Sequence, residues 1–359
     1  MTNDISAPGI EDGPRLARWI AGSGAELAAA ELTGIKLIAG GRSNLTYRLD
    51  FGPAGHLVLR RPPLGHVLPT AHDMAREYRV LTALTGTDIP VPGPAAFCAD
   101  TEVIGAPFYL MQYVDGLVLR TREDGAQVSP DQARQLSEQL AAMMAAIHGV
   151  DLAAVGLEGF GRPEGYLARQ LSRWQKQWTL SNTREVAGYD QLVQRLADGL
   201  PADGDGALVH GDYRLDNMLV VLDPQPGIAA VVDWEMSTLG DPLADLGLTL
   251  MYWADAADDE STAMSVGASV TRLPGFFSRA ELASRYAGLT GRDVSGIGYY
   301  MAFGCFKLAV VLEGIHARFV QGKTVGEGFE REGPMVASLI ERAHQMLDSD
   351  PLSGPAPAV

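Results

Sequence analysis

The feature that most limits the fold is a change of pattern near residue 115: short strands and one helix come before it, long helices after it. In the first part, apolar runs between Gly34 and Leu49 flank Gly40-Gly41-Arg42-Ser43-Asn44, and His56 to Arg60 forms a further strand stopped by Pro62-Pro63. Met74, Tyr78, Leu81 and Leu84 recur at helical spacing and predict a helix over about Thr70 to Thr85. Phe108 to Val114 then reads as a strand ending at Asp115-Gly116. Beyond it, Ser129-Pro130-Asp131-Gln132 is a helix start, with Leu136, Leu140, Met143, Met144 and Ile147 on one apolar face. A β segment interrupts the helices: Ala207 to Val209, Met218 to Leu222, a turn over Asp223 to Gly227, and Ile228 to Val232. The expected fold is α+β and bilobal. Its parts are an N-terminal helical extension over 1–33, a small β-rich lobe with one main helix over 34–114, a larger mainly helical lobe over 115–347, and a tail over 348–359.

Composition narrows the function. The chain carries 44 acidic and 28 basic side chains, a formal charge of −16, and phosphate backbones are bound through clustered Lys and Arg, so nucleic acid is not an expected partner. Apolar residues at 47% and charged residues at 20% support a full core. The two cysteines, Cys98 and Cys305, lie in no CxxC pattern, which speaks against a disulfide framework or structural zinc. No run approaches the roughly 18 apolar residues of a membrane span, and the N-terminus has no basic or apolar leader region, so a cytoplasmic protein without a membrane partner is expected. Only four of the 28 basic residues are lysines: Lys36, Lys176, Lys307 and Lys323.

The chemistry concentrates in Val209-His210-Gly211-Asp212-Tyr213-Arg214-Leu215-Asp216-Asn217 and in Asp233, within Val232-Asp233-Trp234-Glu235. An Asp and an Asn separated by four residues on a strand-closing loop can aim a carboxylate at a hydroxyl and an amide oxygen at a cation. A second carboxylate at the end of a hairpin completes a set of hard oxygen ligands of the kind Mg²⁺ takes when nucleotide phosphates supply the rest. The arrangement resembles the D-x-x-x-x-N loop and later metal-binding Asp of kinases. Read alone, His-Gly-Asp is ordinary turn chemistry; the combination is specific.

With Asp233-Trp234-Glu235 and Gly240-Asp241-Pro-Leu-Ala-Asp245, these residues resemble the aminoglycoside phosphotransferase and choline-kinase-like branch of the protein-kinase-like fold, over about Leu37 to Leu347. Gly40 to Tyr47, Leu59-Arg60-Arg61-Pro-Pro63 and His210 to Asn217 look most like phosphotransferase domains related to those joined to acyl-CoA dehydrogenases.

The resemblance implies an ATP- and Mg²⁺-dependent transfer of the γ-phosphate to a small-molecule hydroxyl, with the first lobe binding nucleotide and the second holding the catalytic loop. Asp212 would be the catalytic base, and Asn217 and Asp233 the metal ligands. Gly41, Ser43 and Asn44 would cover the phosphates. Met111 would back the adenine, with the Gln112 carbonyl and the Val114 N–H on its edge. The family lysine is absent: the strand reads Leu57-Val58-Leu59-Arg60, with Arg60 on the face of Val58 and Arg61 on the other. Arg60 keeps the charge with a different geometry, and Glu77 is its expected partner. His210 and His148 are read as packed groups, and Asp245 as a buttress for the loop through backbone hydrogen bonds. Alternation turns Glu235 away from Asp233, making it a secondary metal candidate.

Three readings of the acceptor side stand together. Leu248 to Trp253 and Tyr299 to Phe306 are aromatic and apolar, and suit a hydroxylated metabolite with an apolar portion better than an aminoglycoside; the acyl-CoA-dehydrogenase-related resemblance implies a hydroxyacyl group, free or as its CoA thioester. The acidic run Asp255-Ala-Ala-Asp258-Asp259-Glu260, which an aminoglycoside phosphotransferase could use, reads as a solvated loop. Arg60 also leaves open a nucleotide-binding pseudokinase, and a CoA-binding accessory module is the third class. Only seven residues separate Asp233 from Asp241, too few for the activation loop of a protein-directed kinase.

Overall fold

The computed structural model describes residues 5–39, 44–64, 72–256, 258, 269–322, 332–349 and 352. They fall into two compact units, one of residues up to Gly116 together with Ala229–Glu235, the other of Leu117–Ile228 together with the chain from Met236 onward.

The first unit is built on a five-stranded antiparallel sheet: β1 (Gly34–Ala39), β2 (Leu45–Asp50), β3 (His56–Arg61), β4 (Pro94–Cys98) and β5 (Phe108–Gln112), in the order β1-β2-β3-β5-β4. Arg60 lies opposite Thr46 on β2 and Tyr109 on β5, and Val58 opposite Met111. One face is closed by α1 (Gly13–Gly22), whose Leu16 and Ile20 enter a core with Tyr47, Leu49, Leu57 and Phe108. The N-terminal helix is thus part of the sheet's own core. Arg61, on the face away from Arg60, ties this segment down by donating to the carbonyls of Gly9 and Ile104.

On the other side, α2 (Met74–Leu84) starts at Asp73, whose carboxylate accepts from the Arg76 N–H at 3.0 Å. Its buried stripe is Met74, Glu77, Val80, Leu81 and Leu84. Tyr78 stands at the margin, half-buried. A carboxylate holds the centre of the stripe, where burial without a partner would cost several kcal/mol.

The second unit is mainly helical: α3 (Pro130–His148), α4 (Tyr166–Ser181), α5 (Tyr189–Asp198), α6 (Pro242–Tyr252), α7 (Arg279–Thr290), α8 (Ile297–Val320) and α9 (Glu332–Asp348). The start of α3 forms as expected: Ser129 and Gln132 exchange side-chain to backbone bonds of 2.9 and 3.3 Å, with Pro130 in the first turn. Leu136, Leu140, Met144 and Ile147 are buried, each worth about 1.5–3 kcal/mol. Strand β6 (Ala207–Val209) pairs antiparallel with β9 (Thr238–Gly240), with Val209 opposite Thr238. Strands β7 (Met218–Val221) and β8 (Gly227–Val231) lie between them in sequence, and β8 carries the chain from the second unit into the first. Helices α6 and α8 pack closely because Gly247 leaves room: a Cβ there would fall 2.4 Å from the Tyr300 Cβ and 2.6 Å from its carbonyl carbon. No helix among the described residues is long and apolar enough to cross a membrane.

Candidate active site

In the second unit the His210–Asn217 segment leaves β6 through Gly211, at φ +82°, where a Cβ would lie 2.5 Å from the Met236 carbonyl oxygen. Glycine alone suits both the dihedral and the space. The turn is held from below by Asp245, in the first turn of α6, whose two oxygens accept from the N–H groups of His210 at 2.5 Å and Gly211 at 2.8 Å. His148 Nε2 lies 3.3 Å from the same carboxylate, and His148 Nδ1 is 2.7 Å from the Tyr286 hydroxyl. Burial alone would push the Asp245 carboxyl up. The bond and charge of His148, the charge of His210 and the Gly211 N–H outweigh it, and hold the group below the ordinary value of 3.8. Asp245 therefore buttresses the loop as the sequence reading expects. His148 and His210 are buried.

The buttress leaves the Asp212 side chain 29% exposed, with its own N–H donating to His210 Nδ1 at 3.3 Å. Asn217, in the 3₁₀ turn Leu215–Asn217, donates through Nδ2 to the Asp212 carbonyl at 2.8 Å and to Asp212 Oδ2 at 2.9 Å. That fixes the amide and keeps Oδ1 as its acceptor atom. Arg214 Nε lies 3.7 Å from Asp212 Oδ2, its Nη2 lies 3.4 Å from Asp216 Oδ2, and its guanidinium stands 4.6 Å from the Tyr252 ring centre. One further group reaches this loop: Lys307, on α8, donates to the Gly211 carbonyl at 2.7 Å. No local pattern marked it, since it sits 96 residues away inside an apolar helix.

In the first unit, Arg60 is the hub. Its Nε lies 3.0 Å from Glu77 Oε1, its Nη2 pairs with Asp233, and the same Nη2 is 3.8 Å from Glu235. Asn44 donates to Glu235 at 2.9 Å, and its Oδ1 is 2.8 Å from His72 Nδ1. Burial pushes the Glu77 carboxyl up to about 7 against the pull of Arg60, with the charges of Asp233 and Glu235 adding to the rise. Glu77 is the partner of Arg60, as expected. Glu235 differs from expectation: Asp233 adopts φ +67° and Trp234–Met236 turns as a 3₁₀ segment, so strand alternation ends and both carboxylates reach Arg60. Three carboxylates face one guanidinium, leaving net negative charge. Asp233 in this unit, and separately the Asn217 amide oxygen in the second, are each a hard oxygen donor of the kind Mg²⁺ takes.

Met111 is buried on β5, Gln112 is exposed with its peptide N–H bonded to the Gly93 carbonyl at 2.8 Å, and Val114 is half-buried beyond the strand. Gly41 and Ser43 lie outside the described residues.

Two expectations for the acceptor side are corrected. The stretches Leu248 to Trp253 and Tyr299 to Phe306 are core: Leu248, Leu250, Met251, Trp253, Met301 and Phe306 are all buried in the packing of the second unit. Of these stretches, Tyr300 lines a cleft of about 490 Å³ with Asp241, where its hydroxyl donates to Asp241 Oδ2 at 2.8 Å. The acidic run is no free loop either, because Asp255 and Asp258 both pair with Arg279, at 3.2 Å from Nη1 and at Nη2 respectively. Asp259 and Glu260 lie outside the described residues.

An antiparallel sheet with one paired Arg–Glu, and a helical unit holding a buttressed D-x-x-x-x-N loop, define a kinase-like α+β phosphotransferase fold. The sequence model of the phosphotransferase enzyme family matches residues 34–277. The chain belongs to that family, whose enzyme class is small-molecule O-phosphotransferase. Acyl-CoA dehydrogenase family member 11 of Gallus gallus is 33% identical over 319 residues, which cover 87% of this chain and 40% of that protein. The chain thus spans about two fifths of the length of that relative. Among solved structures, a provisionally named aminoglycoside phosphotransferase of Ralstonia eutropha JMP134 is similar, with a TM-score of 0.76 and 34% identity over 93% of this chain and 98% of that one. Aminoglycoside phosphotransferase APH(4)-Ia, in a ternary complex with ADP and hygromycin B, shares the fold at a TM-score of 0.61 and 15% identity, covering 96% of this chain and 100% of that one.

Proposed function

We propose that this chain transfers the γ-phosphoryl group of ATP, with Mg²⁺, to a hydroxyl of a small molecule, and that the acceptor is a hydroxyacyl compound, free or as its CoA thioester. The observation that carries the reading is the loop in which Asp245 grips two backbone N–H groups while Asn217 orients a part-exposed Asp212. A carboxylate so fixed is suited to receive a proton without reorganising.

Asp212 accepts the proton of the acceptor hydroxyl as that oxygen bonds to the γ-phosphorus and the bond to ADP breaks. Asn217 keeps the carboxylate in its orientation and offers Oδ1 to the metal, as Asp233 offers a carboxylate oxygen. Bound Mg²⁺ supplies neutralisation of phosphate charge. Arg60, held by Glu77, contacts the phosphates in place of the family lysine. Gly41, Ser43 and Asn44 serve the phosphates, and Met111, Gln112 and Val114 the adenine. The 34–114 segment is on this reading the nucleotide-binding part, and 115–347 the catalytic and acceptor part. The acyl-CoA dehydrogenase relatives support the hydroxyacyl acceptor by analogy.

The name of the Ralstonia protein favours a second reading, an aminoglycoside acceptor. Against it, Asp255 and Asp258 are already engaged by Arg279.

The test is Asp212→Ala, assayed with ATP, Mg²⁺ and a panel of hydroxy acids, hydroxyacyl-CoA thioesters and aminoglycosides. Loss of a general base removes about 10²–10⁴-fold in turnover. Nucleotide binding should persist. Unchanged turnover in the variant, or no transfer by the wild type to any acceptor, refutes the reading.

A further inference from the structure

Three cations gather beside Asp212, Asp216 and Asp245. Lys307 projects from the middle of α8 to the carbonyl of Gly211, the residue before Asp212, at 2.7 Å, and its ammonium stands 5.8 Å from the ring centre of buried Trp174. Arg173, on α4, lies 5.5 Å from the same ring. Arg214 is the third cation, already shared between Asp212 and Asp216. Lys307 and Arg173 form no ion pair with a carboxylate among the described residues.

A structural tie to Gly211 does not account for this. An ammonium has three donors, and the carbonyl takes one. A neutral amide could satisfy that carbonyl without the cost of holding a charge away from water. That cost is visible in Lys307, whose pKa is lowered by burial first, with Arg173 and Arg214 adding to the fall and Asp212 and Asp245 opposing it. A half-buried lysine with two unused donors, and an exposed arginine near the same indole ring that makes no ion pair among the described residues, can together receive an anion.

We propose that Lys307, with Arg173, binds a negatively charged group on the acceptor, so that the acceptor is a hydroxylated anion, carboxylate or phosphate, and not a polycation. The inference rests on the phosphotransferase reading and narrows its substrate. An anion seated on Lys307 sets the acceptor beside Asp212 and determines which hydroxyl the carboxylate meets, whereas an amine placed there would face two cations.

The experiment compares matched acceptors with ATP and Mg²⁺: 3-hydroxybutyrate against its amide, glycerol 3-phosphate against glycerol, and kanamycin as the cationic contrast. The charged member of at least one pair should show a kcat/KM about 10–100-fold higher, chiefly through KM. The pair with the larger ratio tells carboxylate from phosphate. Lys307→Met should collapse that ratio at least tenfold, and Lys307→Arg should restore part of it. Should Lys307→Met fail to fold, Arg173→Met, at an exposed position, carries the same comparison. Equal losses on charged and neutral acceptors would mean that Lys307 serves the loop or the phosphoryl group in transit, and overturn the proposal. Preference for the neutral acceptors or for kanamycin overturns it while leaving phosphotransfer intact. Absence of transfer to every acceptor overturns both.

Discussion

Replacing Asp245 by Asn tests whether the loop is held as described. The wild-type carboxylate uses one oxygen for the His210 N–H at 2.5 Å and the other for the Gly211 N–H at 2.8 Å. The amide keeps the shape but has a single oxygen. One backbone donor must face an NH₂ group, and the other loses its charged acceptor. A hydrogen bond to a charged group is worth about 1.5–3 kcal/mol and a stranded buried donor costs about 1–3, so with partial relaxation the sum is about 2–4 kcal/mol. Against a total stability of about 5–15 kcal/mol the variant should stay folded. Urea unfolding followed by circular dichroism reads the loss directly. The rate of phosphoryl transfer should fall on the order of 10²-fold, because the lost grip displaces Asp212, two residues on, by a fraction of its working geometry. An unfolding free energy within about 0.5 kcal/mol of wild type, together with unchanged turnover, would refute the buttress.

Three further outcomes are expected. Because the Asp245 carboxyl titrates below its ordinary value of 3.8, it stabilises the fold above that pH and the contribution is lost as the pH falls through the folded value. Asp245→Asn should therefore flatten the acid limb of stability against pH, and a limb of unchanged slope would count against the assignment. Arg60→Met strands Glu77, which is 2% exposed, and should cost about 3–5 kcal/mol, whereas the double change with Glu77→Gln should recover much of it. Strict additivity in that cycle would mean the pair is not coupled. Gly247→Ala should cost about 1–3 kcal/mol by forcing α6 from α8. Gly288→Ala, where nothing lies within 4 Å of the new Cβ, should be neutral or stabilising by up to about 1 kcal/mol; equal effects in the two thermal melts would contradict the packing argument.

What could be read from the sequence was whatever lay in one contiguous stretch. The loop from His210 to Asn217 and the glycine it needs follow local spacing, whereas the buttress at Asp245, 35 residues beyond His210, was implied by the family resemblance. The strand period placed Arg60 on one face, and the family resemblance supplied Glu77 as its partner. Misreadings arose where a distant partner decides. Leu248 to Trp253 and Tyr299 to Phe306 look like pocket walls until most of their residues, Leu248, Leu250, Met251, Trp253, Met301 and Phe306 among them, are seen to be buried, an arrangement that helices apolar on every side adopt. Asp255 and Asp258 look solvated until Arg279, more than twenty residues on, reaches them. Glu235 was misdirected because the strand period lapses at Asp233. Lys307 had no local signal at all: a lysine in a mainly apolar helix reads as an exposed position, and only tertiary structure sets it on Gly211.

The passage of β8 between the units bears on how the protein is made. The first unit needs Ala229–Glu235, whose Val231 N–H bonds the Pro90 carbonyl at 2.8 Å and whose Glu235 accepts from Asn44. A ribosome has therefore to deliver all of residues 117–228 before the earlier unit can be finished. Its sheet emerges first but waits, with Arg60 and Glu77 lacking their last neighbours, until the hairpin returns. A chain cut at Gly116 would lack Ala229–Glu235, and with it the partners that Arg60, Pro90 and Asn44 find there.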